Sequence, residues 1–458
     1  MTVEILARIQ FAFTVAFHYI YPPLSIGLGL VMVVFETRYL MTRDQEYRDL
    51  AKFWTKIFAL IFGIGVVTGI VMEFEFGTNW STYSEYVGDI FGSALAAEGI
   101  FAFALESGFL GILLFGWNRV SPVVHWISTV GVFLGSMFSA VWIVVANSWQ
   151  QTPAGFRIVG EGLHARAEIT DFWAMVFNPS SMDRLMHVWI GAFLSGAFLV
   201  ISVHAYYLLK KRYVAISVRA LKIAFPIALL FSLSQLFTGH RSADGVSVNQ
   251  PAKLAAMEGH FKADAPADMY IMGWVDASRG HVDGLRLPGG LSFLLYADTE
   301  KKVKGLDAFP KTDIPSQVNA VFQFYHLMVA IGMLLILLSI WGTWRVFSKG
   351  ARQPRWMLVI FMLSALLPQI ANQAGWFAAE MGRQPWVVYG LLRTTDAFSQ
   401  RVSENQLVFS LLLFFFVYLI LFLLFVYLFN KKVRHGMLLE EATDSRPKQD
   451  TMANWKNI

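Results

Sequence analysis

Cysteine is absent from this chain, which excludes thiolate-ligated haem, iron-sulfur clusters, covalently attached c-type haem and disulfides. A metal could be held only by His, Met, Asp or Glu. Charge is scarce as well. Only 15% of the 458 residues are Asp, Glu, Lys or Arg while 56% are hydrophobic, a balance outside that of an ordinary soluble domain. The net charge of +5 is small for this length, and the positive residues lie mostly at the ends of apolar runs. No basic patch therefore calls for a nucleic-acid partner. A Walker loop, a dinucleotide fingerprint and an internal repeat are also missing.

Apolar sequence is what the chain has in abundance. Runs of about 20 residues, enough to cross a hydrocarbon core of about 30 Å as helix, mark membrane spans. Nine can be drawn, at roughly 10–35, 53–75, 91–116, 125–146, 184–209, 217–238, 319–343, 357–379 and 407–430. They predict an all-α, polytopic membrane protein forming one integral domain. Helices one to six occupy 1–238, a polar loop 239–318, and helices seven to nine with a tail 319–458. The first run begins after Arg8, is longer than a signal-peptide core and is followed by no small-residue cleavage site, so it is read as retained. Basic residues fall in alternate connections, among them Arg38, Arg43 and Arg48, then Lys210, Lys211 and Arg212, then Lys431, Lys432 and Arg434, whereas 76–90 holds none. The positive-inside rule then puts the N-terminus and the long loop outside and the C-terminus in the cytoplasm. Apolar patches at Leu254–Met257 and Leu291–Leu295 predict partial order within the loop.

Ionisable residues inside such runs are costly and point to function. Glu380 closes the eighth run and Arg383 stands three residues later, a pairing suited to something anionic or metallic, and a porphyrin offers both. His18 lies within the first run and is either a haem ligand or a hydrogen-bond partner for a neighbouring helix. Glu98 and Glu106 share the third run eight residues apart. On an α-helix they differ by about 80° and about 12 Å, as metal ligands, proton carriers or partners of Arg8 or Arg383. His187 opens the fifth run; Met328, in the seventh, is either packing or the second axial ligand of a His/Met haem. In the loop, Lys253 and Glu258 are either solvated charges on a short helix or a pair that binds a hydroxyquinone and takes its protons. By the predicted topology His18, Glu98, His187, Met328 and Glu380, from five helices, converge on the outer half of the membrane.

Taken together, these segments resemble subunit I of the bacterial cytochrome bd quinol oxidases. The resemblance rests on Arg8-Ile9-Gln10-Phe11 with His18, on Met72-Glu73-Phe74 leading to Phe76-Gly77-Thr78-Asn79-Trp80, and on Gly88–Gly92 with Glu98 and Glu106-Ser107. Trp142–Asn147, the run from Lys253 to Glu258 and Gly382-Arg383-Gln384-Pro385-Trp386 complete it. It implies a terminal respiratory oxidase of the bacterial inner membrane that oxidises quinol and reduces dioxygen to water, separating charge without a pump. It implies His187 and Met328 as axial ligands of a low-spin haem b. His18, Glu98 and Glu380 would serve a high-spin haem b and a haem d, or a further haem b in its place. Lys253 and Glu258 would bind quinol, Glu106, Ser107, Ser139 and Asn147 would move protons, and Arg8, Trp376 and Arg383 would support haem. A second membrane subunit and a small single-helix accessory subunit are the implied partners. The short loop, and His326 where arginine stands in the best-known members, resemble the short-loop branch that includes cyanide-insensitive oxidases. Competing readings are a haem-bearing quinol dehydrogenase and a proton-coupled transporter built on the buried Glu and His.

Overall fold

A computed structural model of the chain describes residues 2–437; the expected tail beyond lies outside the described residues. Among these residues nine helical stretches are long and apolar enough to cross a bilayer. The first is broken. Helix α1, Val3–His18, stops and α2, Tyr21–Thr42, restarts two residues later. Pro22 and Pro23 have no N–H to offer the carbonyls of residues 18 and 19, and their rings crowd those carbonyls. His18 is thereby left at the break. Helix α3, Gln45–Asn79, is capped by the Asp44 carboxylate, which accepts from the Glu46 N–H at 3.1 Å. Its length of about 52 Å exceeds the hydrocarbon core, so it projects beyond the bilayer.

The third span is composite. After α4, Ser81–Tyr86, it comprises α5, Gly88–Ala97, a π-helical turn over Glu98–Phe103, and α6, Ala104–Phe115. Helix α7, Pro122–Gln151, comes next. A small hairpin of β1, Phe156–Val159, and β2, Arg166–Ile169, precedes the short α8, Phe172–Val176. Helices α9, Ser181–Leu209, and α10, Val214–Asn249, pair along their lengths. Helix α10 runs past its apolar part, so the sixth span ends at Asn249 rather than near 238, its last turns being polar.

The long loop is ordered. It holds α11, Pro251–Glu258, a hairpin of β3, Met269–Asp276, and β4, His281–Leu287, and α12, Gly290–Tyr296. The expected ordered patches are α11 and α12. Helix α13, Val318–Lys349, leads to α14, Arg355–Leu363, and α15, Leu366–Arg383, which are split by a two-residue break where Pro368 cannot bond residue 364. Two short strands, β5, Trp386–Val388, and β6, Leu392–Arg393, form a turn before α16, Glu404–His435.

The largest cluster of buried apolar side chains, including Phe35, Trp54, Phe58, Phe198, Tyr207 and Phe225, is centred where α2, α3, α9 and α10 meet. Helices α2 and α9 approach until backbone meets backbone. A Cβ on Gly27 would lie 2.1 Å from the Ala192 carbonyl oxygen, and one on Gly196 would lie 2.1 Å from Gly27. Small residues at crossing points are how membrane helices gain packing when lipid already satisfies the hydrophobic effect.

Candidate functional site

Glu380, at the end of α15, is the centre of a buried polar cluster at the loop end of the bundle. Arg383 Nη2 donates to Glu380 Oε2 at 2.5 Å, and Asn147 Nδ2 and Gln151 Nε2, both from α7, each donate to Oε1 at 3.1 Å. Arg184 of α9 bonds Asn147, and Arg383 Nη1 reaches Gln150 Oε1 at 3.3 Å. The Arg383 guanidinium is 5% exposed, a burial tolerated because its charge is paired. Gln150 also bonds the Tyr83 hydroxyl. Lys253 Nζ donates to Gln151 Oε1 at 2.5 Å, which ties the loop to Glu380 through one amide.

The second cluster lies between the third span and α7. Ser139 donates to Glu98 Oε1 at 2.5 Å, and Ser136 donates to Glu106. Positions 136 and 139 are neighbours on one face of α7, so the two carboxylates address the same helix. A regular α-helix would have splayed them by about 80°. The π turn beginning at Glu98 supplies the difference, because one extra residue in the turn rotates α6 back by about 100° relative to α5. Ser107 points elsewhere, bonding the Ala104 carbonyl and lining a shallow apolar groove with Phe62, Gly63 and Leu110.

His18 Nδ1 lies 3.0 Å from Thr68 Oγ1, and His187 Nδ1 lies 3.2 Å from Thr238 Oγ1. Gln235 Nε2 contacts the same ring of His187 at 3.1 Å. Met328 Sδ rests on α15. Each of these three faces a glycine on a neighbouring helix: Gly69 by His18, Gly239 by His187 and Gly375 by Met328. Trp376 packs edge-on to Phe377 and near Phe11, while Arg8 pairs with Glu4 at 3.6 Å and Arg383 with Glu380, the expected alternative partners Glu98 and Glu106 bonding Ser139 and Ser136 instead.

Lys253 and Glu258 diverge. Five residues along a helix turn them about 140° apart, so Lys253 enters the Glu380 cluster while Glu258 turns to Tyr325 of α13. Burial, with the guanidiniums of Arg184 and Arg383 beyond it, pushes the Lys253 ammonium well below its usual range. Burial also raises Glu258 to about 7, with the Tyr325 hydrogen bond opposing. His326 Nε2 donates to the Tyr270 carbonyl at 2.7 Å, fastening the loop hairpin to α13.

Residues 6–437 match the family model described as cytochrome bd terminal oxidase subunit I. The chain belongs to this family. It is 37% identical over 446 residues to "Cytochrome bd ubiquinol oxidase subunit 1" of Bacillus subtilis (strain 168), covering 95% of this chain and 94% of that one. It is 34% identical over 498 residues to "Cytochrome bd-II ubiquinol oxidase subunit 1" of Escherichia coli (strain K12), covering 94% and 96%. The solved bd oxidase of Geobacillus thermodenitrificans superimposes with a TM-score of 0.88 at 27% identity, covering 95% of this chain and 99% of that chain. This cytochrome bd subunit I is therefore a multi-pass, inner-membrane component of a terminal oxidase that uses haem and quinol.

The bd subunit's own residues fit a haem. Glycines beside His18, His187 and Met328 leave a flat face next to each candidate ligand side chain, and the donors are imidazole and thioether. Arg184 Nε and Gln235 Oε1 are buried with no hydrogen-bond partner among the described residues, and Arg184 suits a haem carboxylate. Sequence reasoning missed Arg184, Gln150, Gln151, Ser136 and Tyr83. Two carried a signal: Arg184 stands one helical turn before His187, and Ser136 one turn before Ser139.

Proposed function

We propose that this subunit oxidises membrane quinol beside α11 and α13 and delivers the electrons to an oxygen-reducing centre near Glu380 and Glu98. Its haems are a low-spin haem b held by His187 and Met328, and a high-spin haem b and haem d, or a further haem b in its place, served by His18, Glu98 and Glu380. When bound, the haems supply electron storage and the iron that takes dioxygen. Glu258, hydrogen-bonded to Tyr325, accepts a quinol proton. Lys253 holds the loop against the Glu380 cluster through Gln151. Arg383 and Arg184 neutralise Glu380 and bind haem carboxylates, with Trp376 packing beside them and Arg8 near the same end. Glu106 with Ser136, then Glu98 with Ser139, pass protons along α7, while Ser107 and Asn147 flank that line. The N-terminus and loop face outward and the C-terminus the cytoplasm, so protons leave outside and are taken up inside. A second membrane subunit covers the exposed flank of the third span, and a small single-helix subunit joins it.

The single observation that carries this reading is the two-bond connection from Lys253 through Gln151 to Glu380, because it joins the loop to the acid cluster with no gap. Extracted haems and a reduced-minus-oxidised spectrum of the purified complex test it, and a colourless, folded complex sinks it. Oxygen uptake on added quinol should vanish in Glu98→Ala. Haem reduction by quinol without oxygen uptake in the unsubstituted complex would favour a quinol dehydrogenase instead.

A further inference from the structure

The hairpin β3–β4 lies against the first turns of α13, and its bonds to that helix fix its direction. The Val275 N–H donates to Asn319 Oδ1 at 3.0 Å, Gln323 Nε2 to the Gly273 carbonyl at 2.7 Å, and His326 Nε2 to the Tyr270 carbonyl at 2.7 Å. Strand β3 is therefore antiparallel to α13. Its turn, at 277–280, points away from the bundle, and its open end sits beside the part of α13 where the apolar run begins.

Side-chain chemistry grades along the same axis. The turn end carries Asp276, Arg279, His281 and Asp283. The open end exposes Ile271 (52%), Met272 (62%), Leu285 (57%) and Leu287 (48%), joined by Phe293 of α12 (60%). A bulge between Tyr270 and Met272 turns both Ile271 and Met272 outward, where a regular strand would face them to opposite sides. Trp274, 64% exposed, stands between the polar and apolar ends. That order, polar then aromatic then aliphatic, is the order met on crossing from water into a bilayer. The exposed apolar residues of α13 begin at Leu327, one residue beyond the His326 bond, so the hairpin surface continues the helix's own apolar belt.

We propose that the open end of this hairpin is immersed in the bilayer interface on the loop side, with Met272 and Leu285 among the headgroups and upper acyl chains. Lipid is the occupant that matches both the depth and the gradient. A patch of this kind facing water would be left uncovered. Arg286 fits the same depth, since its guanidinium donates to Asp268 at 2.9 Å and so remains paired where water thins. The loop is then a monotopic element seated on the membrane rather than a domain standing clear of it.

A chain without cysteine permits a direct test. Met272→Cys, Leu285→Cys and, as control, Arg279→Cys are labelled with a nitroxide in the complete oxidase reconstituted into phospholipid vesicles. The signal of the unsubstituted complex is subtracted. The ratio of collisions with oxygen to collisions with a water-soluble nickel chelate should be several-fold higher at 272 and 285 than at 279. Equal ratios at the three sites would place the hairpin in water and overturn the proposal. Suppression of both kinds of collision at 272 and 285 would mean a protein partner covers the patch, and would overturn it equally. Should one variant fail to assemble, Phe293→Cys reports on the same depth.

Discussion

A carboxylate that takes protons from a bound hydroquinone must be empty when the substrate arrives, and burial makes that condition sensitive to pH at Glu258, the acceptor proposed above. With its value raised to about 7, quinol oxidation should climb as pH passes upward through neutrality. Glu258→Gln should flatten that profile and lower the rate by about 10²-fold or more; steady-state oxygen uptake across pH measures both. Stability moves the other way. The folded state binds this proton more tightly than the unfolded chain, so the contribution is complete below the ordinary 4.5 and is lost as pH rises through about 7. Met328→Leu keeps volume but removes the sulfur, so the low-spin haem signal should fall while the fold survives, as the reduced-minus-oxidised spectrum would show. Lys253→Ala should raise the quinol concentration needed for half-maximal rate and leave haem content unchanged; loss of all haem would overturn the loop assignment. At this scale the sequence was legible where charge stood in apolar surroundings, as at Glu98 and Glu380. Gln150 and Gln151 were not legible, because neutral amides at a span's end look like ordinary interface residues.

Helices carry the next layer of information. The π turn at Glu98 aligns two acids that regular winding would separate, and deleting one residue from it, Gly99, should restore regular winding and rotate Glu98 off Ser139. Oxygen uptake is expected to collapse while the spectrum of the haem proposed for His187 and Met328 persists. Where α2 and α9 touch, Gly27→Val should cost about 1–3 kcal/mol or more, since the added atoms meet backbone that cannot yield; a lower thermal midpoint in detergent checks it. The nine spans were readable because twenty apolar residues have few alternatives in water. The break after His18 had its signal in Pro22 and Pro23. The π turn had none, since no residue type encodes it and only packing against α7 selects it.

The whole molecule has a chemically distinct face at each end. Arg48 donates to Asn118 at 2.6 Å, Arg219 pairs with Glu46 at 2.6 Å, and Arg212 donates to the Arg434 carbonyl at 3.0 Å, all at the end opposite the loop. The proposed topology, with that end cytoplasmic, predicts that a protease site inserted between Ser278 and Arg279 is cut only from outside in sealed, right-side-out vesicles, and a site placed after Gly436 only when they are inverted. The small hairpins were not legible, because β1, β2, β5 and β6 are only two to four residues long and β3–β4 is interrupted by Gly273, Gly284 and a bulge. Between the two chemistries of the loop end stands a single side chain. Gln151 offers its oxygen to an ammonium and its nitrogen to a carboxylate, so its amide can lie only one way round. It behaves like a keyed plug: reversing it would set donor against donor and acceptor against acceptor. A neutral Lys253 amine could face either end of that amide, which would leave the Glu380 carboxylate alone to hold it one way round.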